Sequence, residues 1–215
     1  MTKARDLAVF NAAGVLTSTS NLNATKLTSG TIPNARYGTP TFNGSNLTGI
    51  DAGGGITQYQ QWRLTSNSLN SNASDADITQ DLEKVDTNGA ATIGSDMVES
   101  GGIFTFPSTG KYLITFTGNA YSPDASDDRG VNFKIKTTTN NAQFQTASDL
   151  KQVMLWTPNG NAQYCAATVT AIFDVTNTAT HKCLFAWGSS QGTSIYLRGD
   201  TSQTQTSFQF MKLAD

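Results

Sequence analysis

Short runs of alternating apolar and polar residues dominate the second part of the chain. The stretch 102–116, GIFTFPSTGKYLITF, holds two such runs joined by Pro-Ser-Thr-Gly. Residues two apart on a strand share a face, so the pattern predicts a hairpin with one buried face. Similar runs predict strands over 60–65, 131–136, 153–156, 163–175, 183–187, 194–198 and 207–213. Roughly eight to ten short strands without a convincing helix predict an antiparallel sandwich, of which the jelly roll is the eight-stranded form.

The segments between these runs are predicted turns and loops. Polar residues fill 66–77, 118–130 and 137–149, which are therefore predicted loops, and Asn88-Gly89 is a turn signal. The stretch 78–86, ITQDLEKVD, suits either a turn of helix or a short strand.

Residues 20–50 follow a different pattern. They hold few large apolar residues, and 23–29 align with 43–49 at an offset of 20. Leu22, Leu27 and Ile32 recur every five residues, which fits neither a helix nor a simple strand. Such a segment cannot bury a core of its own, so we expect these residues to pack against copies of themselves in other chains.

Two further features divide the chain. Residues 1–10, MTKARDLAVF, could form a few helical turns that are too short to be stable alone, so this segment is expected to dock on something. Residues 51–55, DAGGG, form a predicted flexible joint. The predicted organisation is a docking segment over 1–19, an extended shaft with its joint over 20–55, and a sandwich domain over 56–215.

Composition narrows the classes of function. The formal net charge is −2 and the charged fraction is 14%, against roughly 25% in typical soluble domains. We therefore expect no nucleic-acid partner, because such a partner usually requires a basic face. No apolar stretch reaches the length of a membrane span, and the first residues do not predict a signal peptide. Cys165 and Cys183 match no metal motif and are expected to be two buried thiols, although neighbouring strands could pair them.

The stretch 102–107 followed by Gly110-Lys111-Tyr112 resembles the hairpin at the centre of complement-type and tumour-necrosis-factor-type globular heads. The short closing strand 207–213 at the C-terminus is similar to the last strand of that architecture. The resemblance covers about 57–215 and implies a compact jelly roll that forms homotrimers. No collagen repeat precedes the head, which departs from the complement-type pattern.

Residues 27–36, LTSGTIPNAR, resemble an element of the shafts of bacteriophage tail fibres, and residues 1–8, MTKARDLA, look like the opening of fibrous virion proteins from phages of marine bacteria. This resemblance implies a homotrimeric protein located on the virion and made in the host cytoplasm. It also implies docking on other virion proteins through the N-terminal segment. The docking residues expected on this basis are Lys3, Arg5, Leu7 and Phe10.

The chain offers little for catalysis, and we predict no enzymatic activity and no cofactor. His181 and Cys183 could share one face of a strand, but no nucleophile elbow is present. Glu83, Glu99 and the acidic loop provide carboxylates for glycoside chemistry, without a fixed separation between two of them. Asp124, Asp127 and Asp128 could ligate calcium, although a solvated acidic loop is the simpler interpretation.

Binding remains as the predicted function, because Trp, Tyr, Asn and Arg are common in recognition surfaces. The candidates for contact with a host-surface glycan or protein are Tyr121, Trp156, Asn159, Trp187, Gln191, Tyr196 and Arg198. For each aromatic residue the alternative is packing in the core or between subunits. Residues predicted to pack in the core or about a threefold axis are Phe104, Phe106, Tyr112, Phe116, Phe208 and Phe210.

The sequence therefore predicts an all-β trimeric fibre protein with a docking segment, a shaft and a jelly-roll head that recognises the host surface. The alternative is a structural decoration of the capsid, or a collar or tail component, with no receptor. A cellular adhesion or signalling head is a more distant alternative.

Overall fold

The computed structural model describes residues 55–69, 75–123, 130–152, 162–189 and 195–215. The chain divides into two units, Met1–Asp51 and Ala52–Asp215, and every described residue belongs to the second. The predicted docking and shaft residues lie outside the described residues and stay predictions; they are Lys3, Arg5, Leu7, Phe10, Leu22, Leu27 and Ile32.

The described residues form strands connected by turns, with no helix among them. The strands are β1 (Tyr59–Leu64), β2 (Ser68–Leu69), β3 (Ala76–Asp77), β4 (Leu82–Lys84), β5 (Val98–Ser100), β6 (Ile103–Thr105), β7 (Gly110–Ser122), β8 (Val131–Thr138), β9 (Gln145–Gln152), β10 (Gln163–Val175), β11 (Lys182–Ser189), β12 (Tyr196–Leu197) and β13 (Ser207–Ala214). The prediction of an all-β domain is confirmed.

The strands form two antiparallel sheets. In sheet 1, β7 pairs with β10 along one side and with β13 and β12 in succession along the other, and β13 continues to β1 and β4. Sheet 2 has the order β5–β6–β11–β8–β9, with β3 paired to β11. The inner faces of both sheets contribute to one apolar cluster, so the prediction of two packed antiparallel sheets is also confirmed.

Strand β7 shows how the sequence specifies its two faces. Residues at even positions, among them Tyr112, Ile114 and Phe116, are fully buried, whereas the odd positions are partly or fully exposed. A residue on a strand points to the face opposite that of its neighbour, so the apolar set at even positions turns one face of β7 inward.

Phenylalanine rings connect the two sheets across the core. The ring centroids of Phe185 in β11 and Phe208 in β13 lie 4.6 Å apart. Those of Phe104 in β6 and Phe210 in β13 lie 4.9 Å apart. Phe116 of β7 stacks on Phe208 at 5.0 Å. Aromatic pairs at these separations add to the free energy gained from burial, so these rings stabilise the contact between the sheets. Phe106 and Tyr112 pack beside them, with ring centroids 4.7 Å apart.

Strand β7 is longer than the sequence predicted. Residues 118–122 were expected in a loop, but they continue the strand to Ser122. Gly118 looked like a turn residue, yet its role is close packing. A Cβ atom there would lie 2.3 Å from the Phe133 ring, so the absence of a side chain lets β8 approach β7.

Other predicted loops also contain strands. Residues 145–149 belong to β9, an edge strand whose polar side chains gave no apolar signal but whose backbone pairs with β8. The polar segment 66–77 contributes β2 and β3, each of two residues. The ambiguous stretch 78–86 forms β4 rather than a helix. The predicted strand 153–156 lies outside the described residues.

The sandwich has two distinct ends. At the entry end, Tyr59 of β1 pairs with Met211, which pairs with Leu113 of β7. At the loop end, Tyr121 of β7 pairs with both Tyr164 and Tyr196. The rise of a strand places these ends roughly 30 Å apart along β7. The chain therefore enters the domain, and the C-terminal strand leaves it, at the end remote from Tyr121.

Strand β10 forms one edge of sheet 1. Its thirteen residues pair with β7, and no described strand is hydrogen-bonded along its other side, although β9 of sheet 2 lies nearby. Edge strands are commonly protected by lysine, proline or a bulge. β10 contains none of the three, and its single charged residue is Asp174 near one end.

Two neighbouring glycines allow a matched test of backbone strain. Gly101 and Gly102 both have positive φ, +61° and +84°, but only Gly102 is crowded, since a Cβ atom there would lie 2.1 Å from the Ile78 carbonyl oxygen. We expect Gly101→Ala to lower the free energy of unfolding by about 1–2 kcal/mol. Gly102→Ala should lower it considerably further because a backbone clash adds to the same strain. Denaturant unfolding of the full chain at one protein concentration measures the free energy of unfolding of both variants. Equal losses of stability would contradict the backbone clash at Gly102.

Candidate interaction surface

The outer face of sheet 1 carries rows of side chains from neighbouring strands. Register aligns the residues of β10, β7 and β13 in three rows: Ile172–Leu113–Met211, Thr170–Thr115–Gln209 and Thr168–Thr117–Ser207. None of these nine residues is charged, and we call them the uncharged rows. Residues directly opposite one another on neighbouring strands lie about 4.5–5.5 Å apart between Cβ atoms, so the rows form one continuous surface.

Exposure differs along the uncharged rows. Ile172 is 69% exposed, which is high for an isoleucine in a regular strand. The nearby Leu213, beyond the end of the rows, is 50% exposed. The ion pair between Lys111 and Asp174, at 3.9 Å, marks the border at the entry end. A sheet face with exposed aliphatic residues and charges only at its margins has the composition of a protein contact surface.

A row of three tyrosines crosses sheet 1 at the loop end. Tyr164 of β10, Tyr121 of β7 and Tyr196 of β12 are direct cross-strand neighbours, and we call them the tyrosine row. The ring centroids of Tyr121 lie 5.1 Å from Tyr164 and 6.4 Å from Tyr196. Tyr164 is 55% exposed, so the row offers flat aromatic surface and hydroxyl groups to a ligand.

Arg198 lies beside the tyrosine row. Its backbone N–H donates to the Asn119 carbonyl at 2.8 Å, which fixes the residue next to β7. Its guanidinium carbon lies 5.3 Å from the centroid of the Tyr164 ring, within the range of a cation–π contact. Among the described residues no carboxylate forms an ion pair with it. The tyrosine row and Arg198 therefore combine aromatic surface with a cation that has no ion pair among the described residues.

The register of three strands brings these residues together. Tyr121 and Asn119 occupy outward positions of β7, and Tyr164 occupies the opposite outward position of β10. Strand β12 is only two residues long, and its pairing with β7 places Tyr196 against Tyr121. A shift of one residue in any of these strands would turn its tyrosine into the core.

The structure places the sequence-predicted binding residues in three groups. Tyr121, Tyr196 and Arg198 come together in the surface described above. Trp187 is 1% exposed within the apolar cluster, so it is a core residue and is removed from the candidate site. Trp156, Asn159 and Gln191 lie outside the described residues.

Tyr164 is the site residue that sequence reasoning missed. The run 163–175 was interpreted as one long strand, and its individual faces were not assigned. Cys165, Val169 and Val175 are buried at odd positions, whereas Tyr164 and Ile172 are exposed at even ones. The available signal was Tyr164 itself, a large aromatic residue on a face of β10 whose other residues are mostly threonine and alanine.

The outer face of sheet 2 differs from that of sheet 1 in charge. Lys134 forms ion pairs with Asp75 and Asp149, the second at 3.5 Å, and Lys136 lies 2.6 Å from Asp77. Partial burial raises the pKa of Asp75, but hydrogen bonds from Lys134 and Asn132 outweigh it and leave that pKa below its usual value. The hydrogen bond to Asp75 in turn raises the pKa of Lys134. This face therefore carries several paired charges, as expected of a surface in contact with water.

His181 and Cys183 lack the properties of a nucleophile and its base. The ring nitrogens of His181 lie 3.2 Å from Thr176 Oγ1 and 3.1 Å from Thr180 Oγ1, and the ring stacks on Phe173. Cys183 is fully buried, and burial raises the pKa of its thiol well above the usual value. A thiol that stays protonated is a poor nucleophile.

The other sequence candidates for chemistry have structural contacts. Glu83 accepts from the buried Arg63 at 2.6 Å, and Glu99 accepts from the Gly102 backbone N–H at 2.7 Å. The loop candidates Asp124, Asp127 and Asp128 lie outside the described residues. Within the described ranges, no group of three or more His, Cys, Asp or Glu side chains is arranged to hold a metal ion.

A small cleft lies away from the tyrosine row. It has a volume of about 200 Å³ and is lined by Thr137, Thr138, Thr139, Asn140, Gln143 and Gln145. Its hydroxyl and amide groups come without an aromatic or charged side chain. The tyrosine row with Arg198 is therefore the better candidate for ligand recognition.

The chain matches no protein-family model and no curated protein sequence. Within the part of the chain that the structure describes, no helix is long and apolar enough to cross a membrane.

The two thiols provide a test of the interpretation of Cys183. Cys165 is 8% exposed and Cys183 fully buried, and burial raises the pKa of both thiols. At about pH 8 we expect Ellman's reagent to modify Cys165 slowly and Cys183 only as fast as the protein unfolds. A Cys165→Ser variant isolates the second reaction, and denaturant should release both thiols. Fast labelling of native Cys183 would contradict its assignment as an inert core residue.

Proposed function

We propose that this chain is a non-enzymatic, homotrimeric fibre protein of a bacteriophage virion whose head recognises a glycan or protein on the host surface. The observation that carries the proposal is the outer face of sheet 1, with its uncharged rows toward the entry end and the tyrosine row with Arg198 at the loop end. The shaft-like stretch 27–36 supports the assignment to a fibre.

The fold agrees with a head of the complement and tumour-necrosis-factor type. Of the strands with six or more residues, β1, β7, β10 and β13 lie in one sheet, and β8, β9 and β11 lie in the other, where the short strand β6 pairs with β11. The chain therefore passes repeatedly between the two sheets, which is typical of a jelly-roll winding. On this basis we assign the domain to a jelly roll, with the docking segment and the shaft preceding it.

The uncharged rows are the proposed contact between copies. Their exposed aliphatic residues would be covered by a neighbouring head, whereas the charged outer face of sheet 2 would stay in solvent. The edge strand β10, which contributes one residue to each row, would be covered in the same contact.

The position of the tyrosine row suits recognition. It lies at the loop end, whereas β1 begins at the opposite end of the sandwich, so the row is clear of the start of the described domain. Three copies on one fibre would allow weak individual sites to act together through avidity.

The trimer can be tested with a single charge. Ile172→Arg introduces a cation at a position that is 69% exposed in the protomer, so the fold should tolerate it. We expect the wild-type chain to have a trimeric mass in light scattering and the variant to dissociate, because a buried, unpaired cation is costly in a contact between copies. Thr146→Arg, on the exposed outer face of β9, is the matched control and should leave the trimer intact. A monomeric wild-type chain would refute the trimer.

Recognition can be tested with the purified full-length protein as a competitor. Labelled protein should bind host cells and reduce adsorption of the phage that carries it. Heat-unfolded protein is the control for non-specific adhesion. A folded trimer that neither binds nor competes would refute the receptor-binding role and leave a structural decoration as the function, and its place on the virion would then be determined.

A further inference from the structure

We infer that the tyrosine row together with Arg198 is a binding site for an acidic sugar, one that carries a carboxylate. This inference rests on the proposed recognition function and specifies its ligand. The site combines exposed aromatic surface with a guanidinium that has no ion pair among the described residues.

The aromatic surface provides the first part of the site. Tyr121, Tyr164 and Tyr196 lie side by side on three adjacent strands, with tilted rings at 5.1 and 6.4 Å. The ring plane of Tyr121 makes an angle of 34° with that of Tyr164 and 36° with that of Tyr196. The two closest rings, Tyr121 and Tyr164, partly cover one another, so the row presents to a pyranose ring the aromatic surface that stays exposed, chiefly that of Tyr164, together with phenolic hydroxyls. Because strands hold all three backbones, little ordering is needed on binding.

Arg198 provides the selectivity for charge. Its guanidinium carbon lies 5.3 Å from the centroid of the Tyr164 ring, and the N–H donors of a guanidinium lie in its plane, where they can meet an anion at its edge. A planar guanidinium matches a carboxylate with two parallel hydrogen bonds. The nearest cross-strand neighbours, Asn119 and Ala166, are neutral, so charge complementarity selects an anionic group at this position.

A carboxylate fits the site better than a purely hydrophobic or a polyanionic partner. Phenolic hydroxyls and Asn119 would be left without partners beneath an apolar protein surface, which is unfavourable. Among the described residues around the row, Arg198 is the only cation, whereas ligands with several phosphates are usually bound by several basic groups. One aromatic row and one guanidinium correspond to one sugar ring bearing one carboxylate.

The test measures binding of the full-length trimer to carboxylated sugars and their neutral counterparts. The probes are oligogalacturonate, oligomannuronate and sialyl-lactose, each compared with its methyl ester by calorimetry. We expect wild-type protein to bind at least one free acid about tenfold more tightly than its ester, a difference that added salt reduces. Arg198→Gln should abolish the preference for the acid, and Tyr164→Ala should weaken binding of both forms about tenfold.

Two controls separate the site from general effects. Lys151→Gln removes a cation from the exposed outer face of β9 and should leave the preference unchanged. Arg198→Lys keeps the charge without the planar fork and should retain part of the preference. Light scattering must give the same mass for each variant, and dissociation of the trimer by Tyr164→Ala would overturn the inference by making the row a contact between copies.

The outcomes distinguish this inference from the proposed function. If the protein binds host cells and blocks adsorption but shows no preference for any of the three acids, the inference is wrong and the recognition function stands. The same conclusion follows if Arg198→Gln leaves the preference intact. If the protein neither binds host cells nor reduces phage adsorption, the recognition function itself fails.

Discussion

The contact between phenylalanine rings across the two sheets is the constraint on which the remaining structure depends. Phe185 of sheet 2 packs against Phe208 of sheet 1, and Phe104 packs against Phe210. Once these rings face inward, the period of two fixes the direction of every other side chain on their strands. β13 then sets the register of β7, and β7 sets that of β10 and β12. The alignment of the tyrosine row therefore depends, through the register of these strands, on how the core packs.

The same constraint gives the molecule two outer faces of different chemistry. On sheet 2 the outward positions hold Lys134 and Lys136 with acidic partners, which suits a surface in water. On sheet 1 the outward positions of β7, β10 and β13 between the ends hold threonine, glutamine and aliphatic residues, with the tyrosines at the loop end and the Lys111–Asp174 pair at the other. Threonine favours strands and offers both a methyl and a hydroxyl group, so a threonine-rich face can meet water or protein. This dual character explains why a low charged fraction appears in a domain with an ordinary core.

Much of the fold could be predicted from the sequence because the buried strands alternate clearly. Gln163–Val175 and the hairpin that includes Phe104 and Tyr112 were recognised in this way. Strand β9 was missed because an edge strand with polar side chains gives no apolar signal. Gly118 was misinterpreted because its requirement comes from a ring on another strand, which no local pattern contains.

The candidate site was harder to predict for the same physical reason. Tyr121, Tyr196 and Arg198 were selected by residue type alone, and their proximity depends on pairing among strands far apart in sequence. Trp187 was selected on the same basis and proved to be a core residue, since composition cannot distinguish an aromatic anchor in the interior from one at the surface. Tyr164 required the assignment of faces along a strand, which register supplies and composition does not.

The unpaired edge of β10 has a kinetic consequence for synthesis. Because alternate residues of β10 already bond to β7, a newly folded protomer would display only the outward-pointing half of the backbone groups of β10, without a lysine or proline to deter another chain. Correct assembly and irreversible aggregation would then compete for the same surface, and both depend on the concentration of free protomers. A tether that holds three chains together before their heads fold would favour the correct partners by raising their local concentration. On the proposed trimeric assembly, residues that join the chains ahead of the head would favour assembly over aggregation in this way.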